Sequence, residues 1–556
     1  MKILSIYRNI VIVVCAFAAT KAFALSWYAS PTGKADAACT IDDPGTIQAA
    51  IDKASSGTTW EDGDTVLLLP GKYDFSSDEG IGTAGIHGNS CITILKDYLT
   101  VKSANDDPSS VVIFGRGGET YISEDLTITN VPHVVRAFSA NATARVESLV
   151  VSNFYSTYAG VAFYSHRKLG LTVYNCDIVN NLGANSSPGH QIVADGCRFI
   201  ANTNSNVGGA LAYGYATNSI FISNTANSGG AIYSPEGDIG NCVFINNQSL
   251  TQAGGAIWYN VGGFHISDCI FSNNISKADG GAVNGHRYSN DNNLYRCRFF
   301  NNIAGGSGGA VYKCRAFDSF FSGNSSQNGG AARDNQSYNC IFSNNTATAN
   351  GAAVYGGIHS GCVFVANYFL KGPYYGGLCA GGTFVRCEFR NNVIARNISY
   401  SGPKMENCLV VSNTITDSGY TIVNGGIFVN STIAHNKTMD KAVVTGGTLT
   451  NTIVIANDAL ADIGGGTHVH TLYGTTTGSP IFDAGSIQVS SAGFRGDRYA
   501  RPYSIKAGSP ARDAGVAVPH FGFDTIDAYG MPRLYGTIDI GCSEFHPRHG
   551  AILQVR

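Results

Sequence analysis

Charged residues are scarce in this 556-residue sequence: Asp, Glu, Lys and Arg make up 13% of it, against about 25% in an average globular domain. The formal net charge is -3, so the chain lacks the basic surplus with which nucleic-acid-binding proteins neutralise phosphates. We therefore expect no nucleic-acid partner. No apolar run beyond the N-terminus approaches the ~20 residues of a membrane-spanning helix, so we expect no transmembrane helix in the mature chain.

The N-terminal residues are typical of an export signal. Lys2 and Arg8 give a positive start, residues 10–19 are apolar, and Ala22-Phe23-Ala24 fits a small-residue cleavage site. The apolar run is too short to cross a membrane. The sequence therefore predicts that the chain is exported and the signal cleaved.

Glycine is abundant, at 68 residues, and the sequence repeats. The pattern C-x-F-x-x-N recurs with a period of 21 to 28 residues, and weaker copies extend it in both directions. The Asn residues of all copies are Asn105, Asn130, Asn153, Asn181, Asn202, Asn224, Asn247, Asn274, Asn302, Asn324, Asn345, Asn367, Asn392, Asn413, Asn436 and Asn457. A unit this short cannot bury an apolar face alone and must stack on its neighbours.

A second motif, GGA followed by an apolar residue, lies between these Asn residues. It begins at residues 208, 229, 254, 280, 308 and 329, with a variant, GAAV, at 351. In the first motif Cys and Phe alternate with other residues, which indicates β-strands with Cys and Phe on one face. Short strands, tight Gly and Asn turns and no long helical pattern predict an all-β fold. We expect a right-handed parallel β-helix, a β-solenoid of about 16 coils.

Stacking of equivalent residues has consequences for the 15 cysteines. Neighbouring coils place equivalent residues ~4.8 Å apart, whereas disulfide Cβ atoms lie about 3.8 Å apart with specific torsions. The column from Cys176 to Cys408 is therefore predicted to be reduced core. Cys39 and Cys91 lie outside the column and are the best disulfide candidates, although the sequence leaves open whether they pair.

The pairing of GGA[ILV] with FxxN resembles the repeats of chlamydial-type polymorphic outer membrane proteins, over about residues 196 to 395. That resemblance implies a bacterial protein that is secreted or lies at the cell surface, associated with the outer membrane and linked to adhesion. "WYASPTG" at 27, "GTIQAAIDKA" at 45 and "GDTVLLLPGKYDF" at 63 look like the opening of pectate-lyase-like bacterial β-helix proteins. "SPIFDAG" at 479 and "YGMPRLYGTIDIGCSEF" at 529 are similar to a choice-of-anchor type C-terminal module. This resemblance implies export.

These patterns together predict the domain layout. A signal peptide is expected over residues 1–24 and an N-terminal cap over 25–62. The cap contains an amphipathic helix with Ile47, Ala50, Ile51 and Ala54 on its apolar stripe. The β-helix is expected over 63–468 and a C-terminal module over 469–556.

Catalytic motifs are missing from the repeat region. Neither NTDG nor GHG, the strings of polygalacturonase-type hydrolases, occurs, and the RxPxxR pattern of one pectate lyase family is absent. Acidic residues between 150 and 410 are scattered, so no carboxylate cluster for calcium is visible. Asp268 and Asp318 are expected to occupy turns. We predict no metal site and no cofactor, with calcium as the exception if the protein is a lyase.

The residue after each GGA[ILV] is predicted to point outward, because the fourth residue of the motif points inward. Together with nearby aromatic and basic residues it forms a candidate stripe on one face of the solenoid. The stripe comprises Tyr233, Trp258, Tyr259, His286, Arg287, Tyr312, Lys313, Arg315, Arg333 and Tyr355. Aromatic rings stack on sugar faces and cations pair with carboxylates or sulfates, so an acidic polysaccharide is the expected ligand class.

Three interpretations of this stripe remain open on the sequence. The preferred one is an adhesin-like or glycan-binding surface protein whose partner is a polysaccharide or another host or cell-surface ligand. The alternative is a polysaccharide lyase that cleaves a uronate-containing glycan by β-elimination, with a Tyr, His, Lys or Arg base. The third is an ordinary solvated β-helix face without a ligand.

Overall fold

The protein is described here by a computed structural model. It covers residues 24–76, 90–115, 121–122, 128–129, 136–260, 263, 265–285, 292–369, 376–400, 402–496, 501–518, 526–533 and 537–546. The expected signal peptide therefore lies outside the described residues, apart from Ala24. None of the described helices has the length and apolar character that a membrane crossing requires.

The chain forms a parallel β-solenoid, as the repeat predicts. Three long parallel sheets, here called sheets 1, 2 and 3, contain 32, 18 and 12 strands, and a two-stranded antiparallel hairpin lies outside them. Sheet 1 runs from Ser26–Lys34 to Ile481–Phe482, sheet 2 from Gly71–Asp74 to Ile487–Gln488, and sheet 3 from Tyr155–Ser156 to Thr414–Ile415. The predicted number of about 16 coils lies between the strand counts of sheets 3 and 2.

Each full coil contributes one strand to sheets 2 and 3 and two strands to sheet 1. In one coil these are Ile270–Ser272, Ile275–Ser276, Val283–Asn284 and Asn293–Tyr295. The C-x-F strands form sheet 2. Their bounds are Arg198–Ile200, Ile220–Ile222, Val243–Ile245, Ile270–Ser272, Arg298–Phe300, Phe320–Ser322, Ile341–Ser343, Val363–Val365 and Glu388–Arg390.

The interior is built from columns of identical side chains. The motif phenylalanines from Phe199 to Phe389 stack with ring centroids 4.7 to 4.9 Å apart and ring planes within 7° of parallel. Beside them run the cysteines, whose thiols donate to backbone carbonyls. The Sγ of Cys340, for example, lies 3.4 Å from the carbonyl oxygens of Ala316 and Tyr338.

Every cysteine in the described part of the chain is free and buried. This confirms the reduced column. It also shows that Cys39 and Cys91 do not pair: the Cys39 thiol lies 3.6 Å from the carbonyl oxygen of Ala37 instead.

The second Asn of each repeat forms a buried amide ladder along the corner between sheets 2 and 3. The backbone N–H and the Nδ2 of Asn302 both donate to Oδ1 of Asn324 at 3.0 Å, and its Nδ2 also donates to the carbonyl oxygen of Phe271 at 3.0 Å. The residue before each ladder Asn turns the corner with a positive φ, 52° at Asn301. This is why Asn occurs in pairs: the first tolerates the left-handed conformation and the second bonds to the adjacent coils.

The ladder is shorter than the sequence predicts. It begins at Asn181, because Asn153 has the positive φ of the turn residue and Phe154 occupies the ladder position. Asn105 lies in a turn, where its Oδ1 accepts from the Ser103 hydroxyl, and Asn130 falls outside the described residues. At the other end the carboxylate of Asp462 accepts from Nδ2 of Asn457 at 2.7 Å and completes the ladder.

The cap helix at Ile47–Lys53 confirms the predicted amphipathic stripe. Its residues Ile47, Ala50 and Ile51, together with Ala54 at its end, are at most 3% exposed. The side chain of Thr46 accepts from the backbone N–H of Ala49 and caps the helix N-terminus.

Residues after the last solenoid strand fold back over the outer face of sheet 2. Ile505, Ile540 and Cys542 share a second apolar cluster with outward-facing strand residues such as Val411 and Leu472. Hydrogen bonds between the amide of Asn451 and the backbone of Val516, at 2.7 and 2.8 Å, fasten this cover. Solenoid pairing itself continues beyond residue 468, through Leu472–Tyr473 and Ile481–Phe482 to Ile487–Gln488.

Candidate functional site

The GGA strands lie side by side in sheet 1 and bring the candidate stripe together. Their fourth residue enters the core and their fifth faces outward, with Cα partners aligned from coil to coil. The strands of this row are Phe163–Ser165, Gly189–His190, Leu211–Ala212, Ile232–Tyr233, Ile257–Trp258, Val283–Asn284, Val311–Tyr312, Ala332–Arg333 and Val354–Tyr355.

The structure divides the predicted stripe residues into three groups. Trp258, Tyr312, Arg333 and Tyr355 are half-buried on the outer face, as are Lys313 and Arg315, while Tyr233 is 8% exposed beneath its neighbours. His286 and Arg287 lie outside the described residues, so their place on this face stays a prediction.

Tyr259 does not belong to the outer face. It is 1% exposed and packs in the core, where burial raises the pKa of its phenol well above the usual range. The reason is the strand alternation: Ile257 points inward and Trp258 outward, so the next side chain returns to the interior.

The basic residues in the C-terminal half of the stripe already contact other groups of the protein. The guanidinium of Arg333 lies 4.9 Å from the ring of Tyr355, its Nη1 donates to the Ser307 hydroxyl at 2.6 Å, and its Nε lies 3.7 Å from Asp334. Lys313 lies 5.1 Å from the ring centroid of its neighbour Tyr312.

Arg315 belongs to a different row from Tyr312. It lies on the second strand of sheet 1 in its coil, where its Nε donates to Oε1 of Gln336 at 3.0 Å. The basic residues of the candidate stripe therefore lie in two rows. Those that the structure describes, Lys313, Arg315 and Arg333, already contact other groups of the protein.

Sequence reasoning missed the N-terminal half of the row, where the GGA motif is degenerate. Tyr164 and His190 occupy the same register position as Ala212 and Tyr233, although "GVAF" and "SPG" stand where GGA[ILV] is expected. The available signal was the 21- to 28-residue spacing of these outward positions rather than the motif letters.

These residues form an unbroken line of contacting rings, here called the ring row: Tyr164, His190, Tyr213, Tyr233 and Trp258. Successive ring centroids lie 5.2 to 5.5 Å apart. The interplanar angles range from 34° to 87°, so the rings meet at tilted or edge-to-face angles. Tyr164, His190, Tyr213 and Trp258 are half-buried, so part of each of these rings is exposed, whereas Tyr233 is buried. The ring row therefore offers the kind of surface on which apolar sugar faces stack.

Tyr213 holds its place in the ring row in a strained conformation. Its φ is 54°, a left-handed value that costs a bulky L-residue about 1–2 kcal/mol. In later coils Gly356 and Gly381 occupy the corresponding place after the strand, with φ near 67°. Ser234, Lys313 and Asp334 take the same left-handed conformation at this place, with φ values of 46° to 54°, so the corner is a general feature of the coil and not a mark of function.

A second aromatic row on sheet 1 has a different geometry. The rings of Tyr295, Phe317 and Tyr338 stack at 5.0 Å with interplanar angles of 17° and 11°. Each ring covers the face of the next, so this row presents ring edges and is less suited to sugar stacking.

Local electrostatics keeps His190 and Tyr233 of the ring row uncharged at neutral pH. Burial, with the nearby charge of Arg136, lowers the pKa of His190 to about 4. Burial, with the neighbouring Tyr213 phenol, raises the pKa of Tyr233 to about 12. A general base works best with a pKa near the operating pH, and neither group meets that condition. Both remain neutral hydrogen-bonding groups.

No group of three or more His, Cys, Asp or Glu side chains with metal-binding geometry occurs among the residues that the structure describes. Asp268 and Asp318, expected in turns, have positive φ values of 55° and 50° at the corners that precede strands of sheet 2. Asp268 pairs with Arg296 at 2.7 Å, and this pairing lowers the pKa of the carboxyl.

One known family has a repeat that matches parts of this chain. The Chlamydia polymorphic membrane protein repeat matches residues 218–235, 268–285, 296–313 and 339–357, a minor part of the chain. No curated protein matches the chain. This chain is thus a parallel β-helix that carries polymorphic membrane protein repeats.

Solved structures with a similar fold include several carbohydrate-active proteins. Pectate lyase Pel9A is 14% identical, with 94% of this chain and 97% of that chain covered and a TM-score of 0.22. The PL6 family alginate lyase AlyGC is 9% identical, with 84% and 99% covered and a TM-score of 0.33. The tailspike protein of E. coli bacteriophage HK620 is 14% identical, with 78% of each chain covered and a TM-score of 0.27. At these values the similarity carries no information on activity.

Proposed function

We propose that this chain is an exported surface protein that binds a glycan along the ring row, in an adhesin-like role. The unbroken line of rings from Tyr164 to Trp258 on adjacent coils carries the proposal. Successive coils repeat at ~4.8 Å, so a linear polymer laid along the solenoid meets a similar side chain at each step. The polymorphic membrane protein repeats support the surface location.

The neutral state of the ring row favours binding over catalysis. A lyase must remove a proton with a base, whereas a His with a pKa of about 4 is a weak base and a Tyr with a pKa of about 12 stays protonated. Neutral imidazole and phenol groups instead donate and accept hydrogen bonds with sugar hydroxyls. Glycan binding is therefore the function that the geometry supports best.

The test measures binding of the mature chain to pectate, alginate, sulfated glycans and neutral glycans. The chain has three Trp residues, and two of them, Trp27 and Trp60, lie in the cap region. In a background with both changed to Phe, fluorescence quenching reports on Trp258 alone. We expect quenching by at least one glycan. In the unaltered chain, affinity electrophoresis should show about tenfold weaker binding for Trp258→Ala, or about 1.4 kcal/mol.

The matched control is Tyr368→Ala, which removes a 45% exposed ring from sheet 3 on another face. Equal losses in Trp258→Ala and Tyr368→Ala, or no binding to any glycan, would overturn the proposal. Ultraviolet absorbance of unsaturated products, followed with and without calcium in the same tubes, tests the lyase alternative. Rising absorbance would identify an enzyme instead of a passive binder.

A further inference from the structure

Arg136 is a buried cation that contacts the first ring of the ring row. The residue is 8% exposed, and its Nε donates to the carbonyl oxygen of Ala159 at 2.6 Å. Its guanidinium lies 4.6 Å from the ring centroid of Tyr164 and 5.3 Å from that of Tyr158. No Asp or Glu forms an ion pair with it in the part of the chain that the structure describes.

An unpaired buried charge is costly, because its hydration is lost without compensation from an opposite charge. The two phenol rings offset only part of that loss, about 0.5–2 kcal/mol per cation–π contact. Other cations near sheet 1 do have acids: Arg333 approaches Asp334 and Lys168 lies 2.9 Å from Glu236. Among the described residues, the lack of an acid beside Arg136 is therefore a local feature and not a general property of this face.

Arg136 lies directly beside the ring row. Its contact with Tyr164 places it at the N-terminal end of the row, and its charge acts on His190 one coil further on. Tyr158, which is 44% exposed, lies beside the guanidinium at the surface. A ligand stacked along the row would meet the cation at this end, flanked by rings that exclude water and strengthen a charge-assisted hydrogen bond.

We infer that Arg136 recognises an acidic group of the glycan, so that the ligand is an acidic polysaccharide whose carboxylate or sulfate pairs with this guanidinium. The inference rests on the proposed glycan binding and specifies its substrate class. It assigns the acid-binding position to the N-terminal end of the ring row, several coils away from Arg333.

The experiment uses the full mature chain and affinity electrophoresis in gels containing polygalacturonate, its carboxyl-reduced neutral counterpart, or heparin. Arg136→Met removes the charge at similar volume, and Arg136→Lys keeps the charge but loses the planar fork. Arg298→Met makes the same change at an exposed arginine on sheet 2 and serves as the control. Far-UV circular dichroism checks that each variant retains the β-solenoid.

Arg136→Met is expected to bind the acidic polymer at least about tenfold more weakly, the value of one charge-assisted hydrogen bond, with binding to the neutral polymer unchanged. Arg136→Lys should be intermediate and Arg298→Met unchanged. Preference for polygalacturonate over heparin would identify a carboxylate, and the reverse a sulfate. An unaltered acid-to-neutral preference in Arg136→Met would overturn the inference but leave glycan binding intact.

Failure of the unaltered chain to bind any glycan would instead reject the proposed function and the inference with it. If Arg136→Met does not fold, the thermal unfolding midpoint of the unaltered chain provides the second measurement. Galacturonate hexamer should raise that midpoint, and the rise should shrink in Arg136→Lys but not in Arg298→Met. Equal rises in all three proteins would overturn the inference.

Discussion

Replacement of one ladder asparagine should open the solenoid locally. Asn302→Ala removes two bonds that its Nδ2 donates, to Phe271 and Asn324, and two that its Oδ1 accepts from Asn274, all at 3.0 Å. The backbone N–H of Asn274 is then left buried without an acceptor. One orphaned donor costs about 1–3 kcal/mol and each further lost bond about 1 kcal/mol, so we expect about 4 kcal/mol in total.

The adjacent residue supplies the control. Asn301 is exposed with a φ of 52°, and Gly323 stands at the equivalent position one coil later with a φ of 69°. Asn301→Gly should therefore change stability by no more than about 1 kcal/mol. The two substituted residues are adjacent in the chain, but Asn301 is exposed at the corner whereas Asn302 is buried.

Hydrogen exchange measured by mass spectrometry under reducing conditions is the suitable assay, because long repeat arrays do not unfold in one two-state step. A cost of about 4 kcal/mol should raise exchange in the coils around residues 274 and 302 roughly a thousandfold. Distant coils should change less. If the exchange rates of Asn302→Ala and Asn301→Gly in these coils differ by less than tenfold, the ladder does not stabilise the corner.

Three further outcomes are expected. The buried thiols should resist Ellman's reagent in the native state and react fully in urea; rapid reaction of the native protein would contradict the closed core. Because the pKa of His190 falls to about 4 beside Arg136, the unfolded chain takes up a proton that the folded one excludes. Stability should therefore drop as pH falls from 6.5 to 4, less so in His190→Asn; equal pH profiles would refute this. Asp462→Ala should cost about 1–2 kcal/mol, measured by hydrogen exchange in the coils around residue 457, by freeing donors of Asn457, whereas Asp462→Asn should cost less. Equal costs would show that Asp462 does not cap the ladder.

Much of the candidate site was predictable because register in a solenoid follows from the repeat. Tyr233, Trp258, Tyr312, Arg333 and Tyr355 share one row because their motifs align. Period-two alternation also held the information that Tyr259 turns inward after Trp258.

Other parts of the site could not be read from motif letters. Tyr164 and His190 lie in the row because the backbones of their strands pair in register with the neighbouring coils, and their degenerate motifs do not reveal this pairing. The sequence did not reveal Arg136 as a candidate, because its burial and its contacts with Tyr158 and Tyr164 depend on the packing of coils and not on chain order. The neutrality of His190 likewise depends on burial next to that cation.

The sequence by itself determined the parallel β-solenoid, the reduced cysteine column, the amide ladder and the position of the cap helix. These features follow from short-range patterns repeated every 21 to 28 residues, which stacking copies from coil to coil. Tertiary structure alone decided where the ladder begins and ends, which cations are buried against aromatic rings, and how the C-terminal residues cover sheet 2. Those outcomes depend on contacts between residues far apart in the chain, such as Asn451 with Val516, and no local pattern specifies them.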